Sequence, residues 1–219
     1  MTNTVKVAIR SPCPAQKNMD LDKALLEEKS GSYLEFHQWE KPSFTHGFFV
    51  KQEEEFILSD AIDVGRRSTG GGILYHGNDL SFALCFSDTH PLSDPNTDRL
   101  YQKLNQLIGR AILEEHPCLI EGSEVGDFSF KEPFCMARPT KYDLVVGGKK
   151  VLGCAIRRKN GRILYHCSIP LRRVASEDLV PFLRRGSLIV EKILENTYAI
   201  GANWNQLRER IQDHVTKSG

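Results

Sequence analysis

The chain carries almost no net charge: 29 Lys and Arg stand against 28 Asp and Glu, a balance of +1. A field that weak offers no case for nucleic acid or an acidic membrane as partner, although local basic patches stay open. No apolar run is long enough to cross a bilayer, and the opening residues, MTNTVKVAIRSPCP, hold no apolar core of leader length, so a cytoplasmic location is expected. The six cysteines (Cys13, Cys85, Cys118, Cys135, Cys154, Cys167) include no CxxC pair. That spacing speaks against a zinc site and, in a reducing compartment, against disulfides. Most of these thiols are expected to be small buried hydrophobes, Cys85 in its apolar run above all. Two nucleotide signatures are missing as well. There is no Gly-Lys-Ser/Thr at P-loop spacing, and the consecutive glycines are contiguous instead of spaced as GxGxxG. Internal repeats and low-complexity linkers are absent. A length of 219 residues with 40% hydrophobic and 9% aromatic content suits one ordinary globular domain with a real core.

What the sequence does have is RRSTGGGILYHGNDLS, residues 66–81, leading straight into the apolar run FALCF. Gly70, Gly71 and Gly72 lack Cβ atoms, so a ligand or another stretch of chain can lie against their backbone, and their N–H groups can form an anion-binding concavity. Arg66 and Arg67 add fixed charge and planar donors suited to carboxylate or phosphate. The plainer reading is a flexible turn between strands with two solvated arginines. Two arginines before the glycines and a strand after them favour a ligand loop.

Hydrophobic periodicity places the other elements. Val5, Val7 and Ile9 alternate as a strand; residues 18–29 read as a helix with Leu21, Ala24 and Leu25 on its apolar face; residues 34–39 alternate again. A short apolar segment covers 44–50, and the charge run 51–55 reads as a solvated face. Residues 73–86 are strand-like, 91–96 a loop, and 97–116 the strongest helix, stopped by Pro117. Residues 121–133 read as irregular. A three-strand meander is expected over 142–169, with turns at Gly147-Gly148 and at Asn160-Gly161. A helix is expected over 176–185, residues 187–194 are ambiguous, and Trp204, Leu207, Ile211 and Val215 stripe a last helix. The whole reads as one compact α+β domain.

The Gly147-Gly148 hairpin would set Val145 opposite Lys150 and Val146 opposite Lys149. Lys150 then shares a face with Leu152 and Cys154, where a lysine either meets a carboxylate or ligand oxygen or snorkels to solvent. Lys149 is the better candidate for plain solvation. Cys135 differs from the other thiols: it falls in a loop between prolines with Arg138 nearby, a setting that favours a thiolate. Beside a lysine, such a thiolate could carry an acyl group as a thioester; the alternative is an inert loop cysteine.

Together these pieces resemble the lipoate–protein ligase and octanoyltransferase family, the lipoyl branch of the biotin/lipoate ligase catalytic fold. RRSTGGGILYH (66–76) is similar to the family's RRxxGGGxVxH loop, and GKKVLGCA (148–155) to its GxKVxGxA segment, whose lysine falls on Lys150. NMDLDKALL (18–26) resembles the first-helix pattern, and 34–39 the strand ending in tryptophan. The resemblance runs over residues 18–170. It implies a mixed β-sheet flanked by helices, a glycine loop lining an acyl pocket, and a lysine at the acyl carbonyl or mixed-anhydride phosphate. It further implies one catalytic domain over 1–219, with 170–219 a helical C-terminal segment and no separate accessory domain.

Two chemistries share the family. Transferases move an octanoyl or lipoyl group from acyl carrier protein to a cysteine and on to a lipoyl-domain lysine. CMARPTKYD (135–143) is similar to the CFxxPSxYE segment of one octanoyltransferase class, which puts the nucleophile at Cys135. Ligases use lipoate and ATP, with Mg, to make an adenylate, and more often show Asn-Asp where this chain has Tyr142-Asp143. On the resemblance, Cys135 and Lys150 are catalytic. Arg66, Arg67, Gly70, Gly71, Gly72 and His76 bind substrate, with His76 equally placed to hold the loop. No metal site or tightly bound cofactor is implied. The acceptors are lipoyl domains of 2-oxoacid dehydrogenase E2 subunits or glycine cleavage H protein. The chain departs from the pattern with Cys154-Ala-Ile156 in place of Ser-Ala-Gln and His166-Cys-Ser168 in place of His-Gly-Ser/Thr, changes that bear on acyl-chain specificity. A silent acyl- or partner-binding homologue is the reading outside enzymology.

Overall fold

The computed structural model describes residues 4–27, 30–115, 121–122 and 133–218. In chain order the elements are β1 (Val5–Ile9), α1 (Ala15–Glu27), β2 (Ser32–Phe36), β3 (Ser43–His46), α2 (Gln52–Glu55), β4 (Asp63–Arg66), β5 (Ile73–His76) and β6 (Asp79–Ser87). They continue with α3 (Thr97–Glu115), β7 (Glu121–Gly122), β8 (Leu144–Val146), β9 (Lys149–Lys150), β10 (Gly153–Lys159), β11 (Arg162–Pro170), α4 (Gly186–Asn196) and α5 (Trp204–Lys217).

The main sheet has the order β1-β2-β6-β11-β10, parallel only between β1 and β2. Its central strand, β6, is apolar on both faces, as a strand covered on both sides must be. Leu80, Phe82, Leu84 and Phe86 point into the core under α3 and α5, while Ala83 and Cys85 meet Leu25 and Leu26 of α1. A second sheet, β4-β3-β5, packs on α4 through Phe44, Ile73, Ile189 and Val190. A third, β7-β8-β9, carries Lys150. This is the mixed sheet with flanking helices that the resemblance implies. Among the described residues no helix is long and apolar enough to cross a membrane.

Several expectations need correcting. The strand-like run 73–86 is two strands in different sheets, because the chain turns at Gly77 and Asn78 between β5 and β6. The meander is likewise broken. β8 and β9 form the expected hairpin, with Val145 opposite Lys150, but β10 and β11 belong to the main sheet. Val151 and Leu152, adjacent and both fully buried, cannot both point inward from one pleated strand, so the ladder stops there. Residues 176–185 form two short 3₁₀ turns, Ser176–Asp178 and Val180–Phe182, instead of an α-helix. Pro181 lacks the N–H that a continuous helix would need. The ambiguous 187–194 lies inside α4, and α1 starts at Ala15, three residues before the expected helix. In the charge run 51–55, Glu55 is buried and accepts from Arg185 Nε and Nη2, each at 2.9 Å, so the run is not wholly a solvated face. Within the supposedly irregular 121–133, Glu121–Gly122 pairs with β8; residues 123–132, like Cys118, lie outside the described residues.

Candidate active site

The glycine loop joins β4 to β5 across the end of β3, since both strands flank β3. It is pinned by backbone bonds: Gly47 N–H donates to Gly72 O at 3.1 Å, Phe48 N–H to Thr69 O at 3.0 Å, and Ile73 N–H to Pro133 O at 2.5 Å. The last bond docks the segment carrying Cys135 onto β5. A Cβ on Gly72 would sit 1.9 Å from Pro133 O, so only glycine allows this approach.

The docking brings Cys135, which opens a 3₁₀ turn (Cys135–Ala137), against the loop. Gly72 N–H donates to Cys135 Sγ at 3.1 Å. Arg67 lies on the same sulfur. Its guanidinium is 3% exposed, donates to Thr45 Oγ1 at 2.8 Å and to Gly72 O at 2.5 Å, and its Nε has no partner among the described residues. Burial lowers the Arg67 pKa, while the negative charge Cys135 would carry as a thiolate acts to raise it.

Lys150 completes the group. It is as buried as Asp143, both at 4% exposure, and its Nζ lies 2.7 Å from Asp143 Oδ2. Snorkelling is therefore not its fate, whereas Lys149 is exposed as expected. Burial works against the Lys150 charge, but Asp143, then Cys135 and Cys154, outweigh it and hold the ammonium above its ordinary range. A backbone N–H thus donates to the Cys135 sulfur, with the Arg67 guanidinium and the Lys150 ammonium near enough for charge on that sulfur to act on both. Two further thiols near Lys150 are poor nucleophiles. Burial pushes Cys154 up to about 12 and Cys167 well above the ordinary thiol range.

The remaining expected residues divide. Arg66, next to Arg67 in sequence, is exposed, with its guanidinium carbon 4.2 Å from the Phe48 ring centre. His76 is buried, stacks on Trp39 with ring centres 4.2 Å apart, and bonds Thr45 Oγ1 at 2.7 Å and Asp79 Oδ2 at 2.8 Å. It therefore reaches Arg67 through Thr45 and does not contact Cys135 directly. Gly71 has φ +89°, and a Cβ there would lie 3.8 Å from Cys135 Sγ, while Gly70 is open on that side.

Sequence reasoning missed the supports. Thr45 was hidden in a segment read only as apolar. Asp22 of α1 is fully buried, its Oδ1 bonded to Arg10 at 2.7 Å and near His37 Nε2 at 3.1 Å, its Oδ2 2.8 Å from His166 Nε2. His166 Nδ1 in turn lies 3.2 Å from Thr69 Oγ1 in the glycine loop. A usable signal existed at Asp22, which falls at the spacing of the buried face of α1. Between these networks is a cavity of about 20 Å³, walled by Met19, Trp39, Leu74, His76, Gly153 and Ala155, with Arg67 also on its wall. Arg67 and Ala155 also border Gly71, beside Cys135, so the cavity adjoins the sulfur. Among the described residues no group of three or more His, Cys, Asp or Glu side chains could hold a metal ion.

A family model described as the lipoyl protein ligase A/B catalytic domain matches residues 14–192. The chain belongs to that family. Among curated relatives it is 31% identical over 166 residues to the octanoyltransferase LipM of Carboxydothermus hydrogenoformans, covering 71% of this chain and 61% of that one. It is 30% identical over 211 residues to the octanoyltransferase LipM of Bacillus subtilis, covering 88% of this chain and 74% of that one. The chain thus spans a little under two thirds of the first relative. Among solved structures it superposes on a lipoate-protein ligase A bound with ATP at TM-score 0.77 and 20% identity, covering 100% of this chain and 85% of that one. A bi-partite lipoate protein ligase from Thermoplasma acidophilum, studied with its E2 lipoyl domain, superposes at TM-score 0.74 and 19% identity, covering 98% and 84%. At those identities the likeness is one of fold.

Proposed function

We propose that the protein is an acyltransferase that loads an octanoyl or lipoyl group onto Cys135 and passes it to the acceptor lysine of a lipoyl domain. The observation that carries this reading is the Cys135 sulfur itself, which accepts Gly72 N–H at 3.1 Å with buried Arg67 and Lys150 alongside. Positive charge around a thiol favours the thiolate, the form that attacks. In the first transfer the thiolate adds to the carbonyl carbon of a donor thioester, the C=O pair moves to oxygen, and collapse expels the donor thiolate. In the second, the neutral amine of the acceptor lysine adds to the Cys135 thioester. Collapse expels the Cys135 thiolate, and the surplus amine proton passes to it or to solvent. Lys150 faces the oxyanion at each stage; a single donor of that kind contributes about 100- to 1000-fold in rate.

Neither transfer requires a bound cofactor. Octanoyl-acyl carrier protein fits as donor, and E2 lipoyl domains or glycine cleavage H protein as acceptors. The cavity, about 20 Å³ as it stands, has room for little more than a water molecule, so the acyl group enters by displacing wall side chains such as Met19 and Leu74. Intact-mass spectrometry tests the reading. Incubation with octanoyl-carrier protein is expected to give a hydroxylamine-labile adduct on the wild type, absent in Cys135→Ala, and chased onto a lipoyl domain. Lipoate- and ATP-dependent modification of the lipoyl domain that survives Cys135→Ala would replace this reading with an adenylate-forming ligase. No modification under either condition would leave a silent binder.

A further inference from the structure

We propose that Asp143 is the positioning residue of the second transfer, fixing the Lys150 ammonium at the carbonyl of the Cys135-bound acyl group; the inference rests on the Cys135 thioester reading. Asp143 lies on the same segment as the nucleophile, eight residues on, and is itself tightly placed. Its Oδ2 accepts from Thr140 N–H and from Thr140 Oγ1, each at 2.7 Å, and from Lys150 at 2.7 Å. Asp143 N–H closes the turn onto Thr140 O at 3.0 Å. The preceding residue, Tyr142, has φ +72°, a left-handed conformation that non-glycine residues rarely adopt. It is held there by α3, whose buried Asn105 donates Nδ2 to Tyr142 O at 2.8 Å. One short segment therefore carries the nucleophile, in its 3₁₀ turn, and the counter-ion of the ammonium, in the turn that follows.

The charges around Lys150 change during the reaction in a way that gives Asp143 its task. Facing the ammonium are Asp143 from the turn, Cys135 from the 3₁₀ segment, and Cys154 and Cys167 from β10 and β11. Tyr101 of α3 stands near Cys135, Cys154 and Asp143. Burial keeps Cys154, Cys167 and Tyr101 neutral at working pH. In the free enzyme a Cys135 thiolate can share the balancing of Lys150. Once Cys135 is acylated that charge is gone, and among the described residues Asp143 is the anion left to keep a fully buried ammonium from shedding its proton.

The test is single-turnover transfer from octanoylated protein to a lipoyl domain between about pH 6.5 and 10, with wild type, Asp143→Asn and Asp143→Glu. The wild-type rate should hold on the alkaline side. In Asp143→Asn it should fall off at least about one pH unit lower. Adding Lys150→Arg to Asp143→Asn should remove that fall, because a guanidinium stays charged. An Asp143→Asn profile parallel to the wild type overturns the proposal. Should that variant not fold, Asp143→Glu decides: a charge kept but moved should leave the alkaline limb in place and lower kcat at least about tenfold with KM for the acceptor little changed. Wild-type kcat in Asp143→Glu overturns the proposal. Failure of the wild type to form any Cys135 adduct instead sinks the thioester reading, and is seen before the pH series begins.

Discussion

Two glycine clusters punctuate this chain, and they do opposite things. Gly147 and Gly148 have φ of +54° and +75° and nothing within 4 Å of where a Cβ would stand. They are glycines because a two-residue hairpin turn needs the left-handed conformation. Gly72 has no such φ, yet a Cβ there would lie 1.9 Å from Pro133 O and 3.2 Å from Cys135 N. The hairpin needs glycine for the shape of its own backbone, whereas the loop needs it because another backbone lies against it. The second kind of glycine is what seats the proposed nucleophile.

Gly72→Ala is therefore the largest disruption expected. A backbone-to-Cβ overlap cannot relax by side-chain rotation, so a loss of about 3 kcal/mol or more follows, with the Cys135 segment displaced from its N–H donor. Denaturant unfolding gives the first quantity and intact-mass loading of Cys135 the second. If Gly72→Ala keeps both near wild type, the distinction between the two clusters collapses.

How far the sequence reaches follows the same line. Helices α1, α3 and α5, the β8–β9 register and the glycine loop were legible because periodicity and glycine spacing are local signals. Cys135, Lys150 and the glycines were each picked out by local chemistry, but their meeting in one group was reachable only through the family resemblance, since 63 residues separate Gly72 from Cys135. Local chemistry also treated Arg66 and Arg67 alike. They alternate across the end of a strand, so one is buried beside Cys135 and its neighbour lies on the surface over Phe48. The supporting roles of Thr45, Asp22 and His166, the last quoted only as part of a motif departure, went unseen because a polar residue that is satisfied only by partners far along the chain has no local signature.

That hidden support gives the loop side a sensitivity to acid that runs through a buried histidine. Burial lowers the His37 pKa more than Asp22 raises it. A histidine depressed in the native state is neutral there and freely protonated when unfolded, so stability is lost as pH drops below about 6.5, down to its folded pKa. For Asp22, burial alone would raise the pKa, but His37, His166 and Arg10 together hold it well below the usual carboxylate range. Its contribution is present above about pH 3.9 and is lost only as pH falls through its lower folded value. The melting temperature should therefore slope downward as pH falls below about 6.5, and His37→Gln should flatten that slope. An unchanged slope in His37→Gln would assign the acid sensitivity elsewhere.

At the hairpin the expected effect is smaller and of another kind. Gly148→Ala places a Cβ in the left-handed region at a cost of about 1–2 kcal/mol, with no clash to relieve. Octanoyl loading of Cys135 should stay at wild-type level, because the new methyl would meet nothing within 4 Å. Loading that falls in step with stability would show that the turn tip does more than reverse the chain.

Gly70 sharpens the comparison furthest, because it belongs to the loop by sequence and to neither cluster by structure. It has no left-handed φ, and a Cβ there would meet nothing within 4 Å. Gly70→Ala should therefore leave stability within about 0.5 kcal/mol of wild type. If the open space beside it is where the acyl donor lies, the new methyl projects into that path, and KM for octanoyl-carrier protein should rise a few-fold with no change in the unfolding midpoint. An unchanged KM would confine the substrate-facing part of the loop to Gly71 and Gly72, the two glycines that border Cys135.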